Sequence, residues 1–354
     1  MKRILVILLA ISLTACGSKN EVKQEETNEI VEEIIQEEIV EEIIEETAEK
    51  EIEVSLMDDG VIIYDPGENK GYRYGPSFLV NEDGSIDAFF SRPGNNSSKW
   101  DYISYRHRDI EGNWSKEEIV LTPSNSGKDH YSVCDPGVIY FGGYYYLGYT
   151  GTDNPNGLAN QVFVARSKNV NGPYYKWDGT SFSNNAPEPI IAYEGLDIYW
   201  GAGEVSFLVY NEDLCIYYTW WEDNECSTRI SKADLVDDWP NTIRFKCIAF
   251  NHENGCDSAD VIYVEDLKTF LAFAVENRME ENSAIAVYMS KDSKVFERIC
   301  VVEDYFESFA HNMGVTKNLD GHVFSTDPIY VGYAYSKTKN WGGWKTKFQS
   351  IEIK

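Results

Sequence analysis

The stretch 132–150 reads SVCDPGVIYFGGYYYLGYT: an apolar strand, a Gly142-Gly143 turn and a second, aromatic strand. Glycine tolerates the positive φ that tight hairpin turns require. The same cadence returns at 75–91 (GPSFLVNEDGSIDAFFS), 204–220 (EVSFLVYNEDLCIYYTW), 258–276 (SADVIYVEDLKTFLAFAVE) and 312–327 (NMGVTKNLDGHVFSTD). Asp83-Gly84 and Asp320-Gly321 are placed as turns in the first and last copies. A third strand is predicted in each copy. It ends in Ser167-Lys168, Ser231-Lys232, Ser290-Lys291 and Ser336-Lys337, with Tyr105 to Arg108 in that place in the first copy. A fourth is predicted at 114–121 and 295–302. Four-stranded units repeating every 50–70 residues or so read as propeller blades. A sandwich needs no such repeat, and a β-helix has a shorter period. The expectation is an all-β, five-bladed β-propeller over 54–354, without long helices.

Residues 1–53 differ in composition. Lys2 and Arg3 precede an apolar run, 4–13, that is too short to span a bilayer. Leu13-Thr14-Ala15-Cys16 follows and resembles the lipobox of bacterial lipoproteins. That resemblance implies a signal peptide over 1–15 and lipidation of Cys16. The protein would then be anchored to the cell membrane on its extracytoplasmic face. Segment 16–53 is rich in Glu, with Ile/Val pairs four to five residues apart. It is read as an acidic stalk, partly helical or disordered.

The chain carries 59 Asp and Glu against 31 Lys and Arg, a net charge of −28, and it has no basic run. This excludes nucleic acid as a partner class. Fourteen per cent of the residues are aromatic, which suits stacking on neutral sugars as well as filling sheets. Six cysteines besides Cys16 contain no CxxC pair, so no structural zinc site is expected. A monomer is expected.

In a propeller the innermost strands converge on one axis. The residues that start them here are Gly75, Asp135, Glu204, Ser258 and Asn312, preceded by Tyr74, Cys134, Gly203, Asp257 and His311. Asp260 follows on the fourth strand. The Cys134-Asp135-Pro136-Gly137 and Gly201-Ala202-Gly203-Glu204 strands, each followed by an aromatic strand, resemble the acid-bearing blades of glycoside hydrolase families 43 and 32. So does Val164-Ala165-Arg166-Ser167 with Gly172-Pro173-Tyr174. The resemblance implies Glu204 as general acid, and Asp135 as the carboxylate that stabilises the transition state or tunes the acid. It implies no required cofactor, and allows a structural ion in the channel with His311 as ligand.

Glycoside hydrolysis needs a carboxylic acid to protonate the leaving oxygen and a second carboxylate as base or nucleophile. The families place that second carboxylate on the first blade, where this chain has Gly75. Asp257 and Asp260 are the leading substitutes, with Asp65, Asp101 and Asp129 on nearby loops. Arg73, Tyr74, Trp100, Trp200, Trp220, Arg278 and His311 are expected to contact sugar, with Trp221 a further stacking candidate and Arg166 a further partner for sugar hydroxyls or the acids. The reading is a surface glycosidase of the arabinofuranosidase or xylosidase kind acting on oligo- or polysaccharide. A fructan-type glycosidase and a non-catalytic sugar-binding lipoprotein remain open beside it.

Overall fold

The structure, a computed structural model, describes residues 52–67, 71–95, 99–337 and 343–354. The expected signal peptide, Cys16 and all but the last two residues of the stalk lie outside these. Among the described residues, strands are broken only by one short 3₁₀ turn, Trp239–Thr242, and no helix is long and apolar enough to cross a membrane.

Among the described residues the strands form four sheets; the nine-stranded one joins two antiparallel groups through a parallel pairing of Thr316 with Phe78 and Lys317 with Leu79, so five groups, called units here, can be followed along the chain. The first comprises Tyr74–Val80, Ile86–Pro93, Asp101–Arg108 and Glu118–Leu121; the third comprises Gly201–Tyr210, Asp213–Glu222, Glu225–Asp234 and Arg244–Asn251. The second begins with Ser132–Phe141, Tyr144–Thr152 and Gln161–Ser167, and the fourth with Ala259–Val264, Thr269–Glu276 and Ala284–Ser290. The fifth departs from the expected order. Ile329–Tyr335, which runs up to Ser336-Lys337, is its second strand rather than its third, and Asp320-Gly321 lies outside its hairpin. Its third strand is Lys345–Ile353, and its outer strand comes from the other end of the chain, with Val54 opposite Ile353 and Leu56 opposite Ile351.

The inner strands are buried on both faces, so consecutive residues serve different cores. Phe78 packs with Phe90 and Phe348 between the first and fifth units, while Leu79 packs with Tyr149 and Phe163 toward the second. Phe207 faces the second unit and Leu208 the fourth. This two-sided burial explains why the strands read as continuous apolar runs rather than alternating ones. Burying each such side chain contributes about 1.5–3 kcal/mol.

A ring of seam positions joins the inner strands: Ser77, Gly137, Ser206, Asp260 and Gly314. Ser77 Oγ accepts from the Val138 amide (3.1 Å), Ser206 Oγ from that of Val261 (3.0 Å), and Asp260 Oδ2 from that of Val315 (2.8 Å). At the other two seams glycine lets the backbones touch. A Cβ at Gly137 would lie 2.0 Å from the Val205 carbonyl oxygen, and one at Gly314 2.0 Å from that of Pro76. The contacts thus run from the first unit to the fifth and back to the first.

Candidate active site

Four of the five inner strands open with the same distortion. Gly75, Asp135, Glu204 and Asn312 have φ of +54°, +48°, +52° and +37°, and the strand register slips at each. A bulge residue in the left-handed region is uncommon for a side-chain-bearing residue, and it re-aims that side chain. Here three of them turn into one mouth. The Asp135 amide is held by Ser91 Oγ (2.7 Å) and the Glu204 amide by Thr150 Oγ1 (2.7 Å), each from the second strand of the preceding unit. Asn312 Nδ2 donates to both Asp135 Oδ1 (3.3 Å) and Glu204 Oε1 (3.0 Å). One amide therefore links the two carboxylates across three units. Asn312 was legible in the sequence only as a member of the ring. Its bridging role depends on the bulge.

These residues floor a cavity of about 670 Å³, walled by Asp101, Tyr72, Tyr74, Trp100, Trp200, Arg278 and His311 among others. Trp100 lies against Gly157 and Trp200 against Gly203, both at distances that leave no room for a Cβ. Asp101 accepts from the hydroxyls of Tyr72, Tyr74 (3.0 Å) and Ser132 (3.4 Å). Arg278 pairs with Asp257 (2.5 Å) and donates to His311 Nδ1 (3.2 Å). A larger cavity, about 790 Å³, lies at the opposite strand ends, around Val80 and Phe141.

Burial raises the carboxyls around the mouth. Burial, then the charges of Asp257 and Asp135, push Glu204 well above the ordinary carboxyl range. Burial raises Asp135 to about 6, with Asp101 and Asp257 adding to the rise against hydrogen bonds from Cys134 and Thr150. Burial raises Asp101 to about 6, against the three hydroxyls. Asp257 is also raised by burial, with Arg278 opposing. Burial and the adjacent Arg278 hold His311 neutral. Glu204 Oε2 has no hydrogen-bond partner among the described residues.

The other expected site residues are placed elsewhere. Asp260 occupies the seam, where Lys317 Nζ (2.5 Å), Ser206 Oγ (2.6 Å) and the Val315 amide take up its oxygens. Arg73 pairs with Glu117 outside the cavity. Trp220 packs at a tilt against Tyr193 beneath the Arg229 guanidinium, and Trp221 pairs with Gly201 within its hairpin. Arg166 lies over Tyr144 and Phe182. Asp129 is buried against Lys176, and Asp65 pairs with Lys345. Among the described residues no three His, Cys, Asp or Glu side chains are grouped to hold a metal ion. His311 Nδ1 faces a guanidinium, a poor neighbour for a cation.

Gly75 is the residue that the resemblance sets in the place of a first-blade carboxylate. A Cβ there would be 3.0 Å from Asp135 Oδ1 and 3.5 Å from Ser91 Oγ, so a side chain at this position would press on the Asp135 carboxylate.

No protein-family model matches the chain, and comparison of the sequence with characterised proteins returns no match. Solved structures do match. A family 117 glycoside hydrolase of the marine bacterium Zobellia galactanivorans superposes with a TM-score of 0.61 at 15% identity, over 85% of this chain and 90% of that one. A family 62 α-L-arabinofuranosidase of Coprinopsis cinerea gives 0.59 at 13% identity, over 85% and 96%. A thermostable family 43 glycoside hydrolase gives 0.55 at 14%, over 80% and 93%. At such identities the likeness is one of fold: the described chain has the β-propeller fold of these hydrolases.

Proposed function

We propose that the five antiparallel units are the blades of a five-bladed propeller, and that its mouth hydrolyses glycosidic bonds of an oligo- or polysaccharide. The observation that carries the reading is the convergence of Asp135 and Glu204, from two strained bulges, on the single amide of Asn312 in a cavity walled by aromatic rings. Strain of this kind concentrates where a site needs side chains re-aimed. Glu204 is suited to be the general acid, because burial and neighbouring carboxylates keep its proton on near neutral pH. Asp135, next to it and also raised, supplies part of that repulsion. Trp100 and Trp200 offer flat faces to sugar rings. The acidic lining suits a neutral sugar, and the matched arabinofuranosidases make pentosides the first substrates to try.

The test is a screen of the full chain against aryl arabinofuranosides, xylosides, galactosides and fructans, with sugar binding followed in parallel by tryptophan fluorescence. Release of the aryl group from at least one pentoside is the expected result. Gly75 also suits a second reading, a propeller that binds sugar without cleaving it. Saturable binding with no release from any substrate would establish that reading instead.

The lipobox-like 13–16 segment supports a place at the membrane surface, with 16–53 as the stalk and the propeller outside the cell. Membrane fractions should hold the wild type, and Cys16→Ala should lose the anchor. Wild-type protein recovered unprocessed from the cytosol would refute this location.

A further inference from the structure

The cavity holds an acid but lacks the first-blade carboxylate that hydrolysis would use. We propose, resting on the glycosidase reading, that Asp101 is the general base, having moved from the inner strand of the first unit to the start of its third strand.

The placement of the other carboxylates leaves this role to Asp101. Asp260 is occupied at the seam, Asp129 by a buried lysine and Asp65 by a surface lysine. Asp257 is screened from the mouth by Arg278, whose guanidinium it binds at 2.5 Å. Asp101 lines the same cavity as Asp135 and Glu204. Its donors are three hydroxyls, from Tyr72, Tyr74 and Ser132, rather than a cation. A carboxylate has about four acceptor sites, so one remains for a water. Hydroxyl donors hold the group still without fixing a full positive charge beside it, so it keeps basicity. Its burial, which raises it to about 6, acts the same way.

The arrangement also separates base from acid. Asp101 belongs to the first unit, Asp135 to the second and Glu204 to the third. Asp135 feels the charge of Asp101, and Glu204 feels the charge of Asp135. A sugar over Asp135 would therefore meet a base on one side and an acid on the other. In the step, the water bound to Asp101 attacks the anomeric carbon. Its oxygen forms the new C–O bond and its proton passes to the Asp101 carboxylate. The bond to the leaving oxygen breaks as that oxygen takes the proton of Glu204. Attack by water in one displacement inverts the anomeric configuration.

The experiment uses the full chain, with an aryl pentoside cleaved by the wild type. Asp101→Asn keeps the shape and one of the two oxygens that the hydroxyls reach, but it cannot take a proton. Its kcat should fall by about 10²–10⁴-fold with KM changed only a few-fold. Asp101→Ala should be rescued by azide with formation of a glycosyl azide, which a misfolded protein cannot do. Proton NMR of the first wild-type product should show inversion. Asp101→Asn within tenfold of wild type, absence of azide rescue, or retention of configuration would each overturn the assignment. If these occur while the wild type still cleaves, the glycosidase reading survives. If the wild type itself cleaves nothing, both readings fall, and the wild-type control alone shows it.

Discussion

Glu204→Gln should lower kcat by about 10²–10⁴-fold while sugar binding persists. The substitution keeps the shape and the oxygen that accepts from Asn312 Nδ2, and it removes only the proton that a leaving oxygen must receive. The loss should shrink on substrates whose leaving groups need no proton, such as dinitrophenyl glycosides. A variant damaged in packing would lose activity on every substrate alike. Wild-type kcat/KM should fall as pH rises through the raised pKa of Glu204, since the acid is then spent, and Glu204→Gln should lose that limb. Stability should follow the same group. Its folded pKa lies above the unfolded value of about 4.3, so the folded state holds the proton more tightly. That contribution is complete at low pH and disappears as pH rises through the folded pKa. Asp101 and Asp135, both near 6, act in the same direction. The melting temperature should therefore decline from about pH 5 to 8 in the wild type and decline less in Glu204→Gln, as thermal denaturation at several pH values would show. Equal kcat for variant and wild type would remove Glu204 from the chemistry.

Lys317→Met should cost about 3–5 kcal/mol of stability, because it leaves a buried carboxylate without its charge partner. The Lys317 side chain is 1% exposed and reaches Asp260 Oδ1, Ser206 Oγ (3.2 Å) and the Val261 carbonyl (3.3 Å). It thereby ties the inner strands of the third, fourth and fifth units. Asp260→Asn should also destabilise, by stranding the ammonium, yet turnover per folded molecule should stay within a few-fold of wild type. That combination separates a seam residue from a catalytic one. The double variant Lys317→Met with Asp260→Asn should recover part of the loss, since it removes both charges while an amide oxygen can still accept from the Val315 amide. Urea unfolding of the three variants measures this. A loss below about 1 kcal/mol for Lys317→Met would show that the pair does not hold the seam.

The assignments that needed the structure share a feature. Asp260 and Asp257 are three residues apart, and the sequence offered both as catalytic substitutes. Asp257 ends in the grip of Arg278 behind the mouth. Asp260, two positions past the strand entrance, falls on the seam that Ser77 and Ser206 also occupy. Asp101 stood among the weaker substitutes, because nothing near 101 announces that two tyrosines and a serine will surround it. Arg73, just before the strand that Tyr74 opens, turns away from the cavity to Glu117.

What the sequence determined by itself is what short-range physics controls. Paired apolar strands, turn residues at Asp83-Gly84 and Gly142-Gly143, and the return of that cadence gave an all-β repeat and placed Asp135 and Glu204 at matching strand entrances. Turn chemistry and strand periodicity act over a few residues, so one chain suffices to read them. The tertiary structure alone decided how the fifth unit closes, with Val54–Leu56 laid against Lys345–Ile353 from the far end of the chain. It alone decided that one Asn312 amide would join acids from two other units, and that Asp101 rather than Asp260 would line the large cavity with them. A one-residue bulge or a change of register reverses where a strand side chain points, and no local pattern records which distant strand it will then meet.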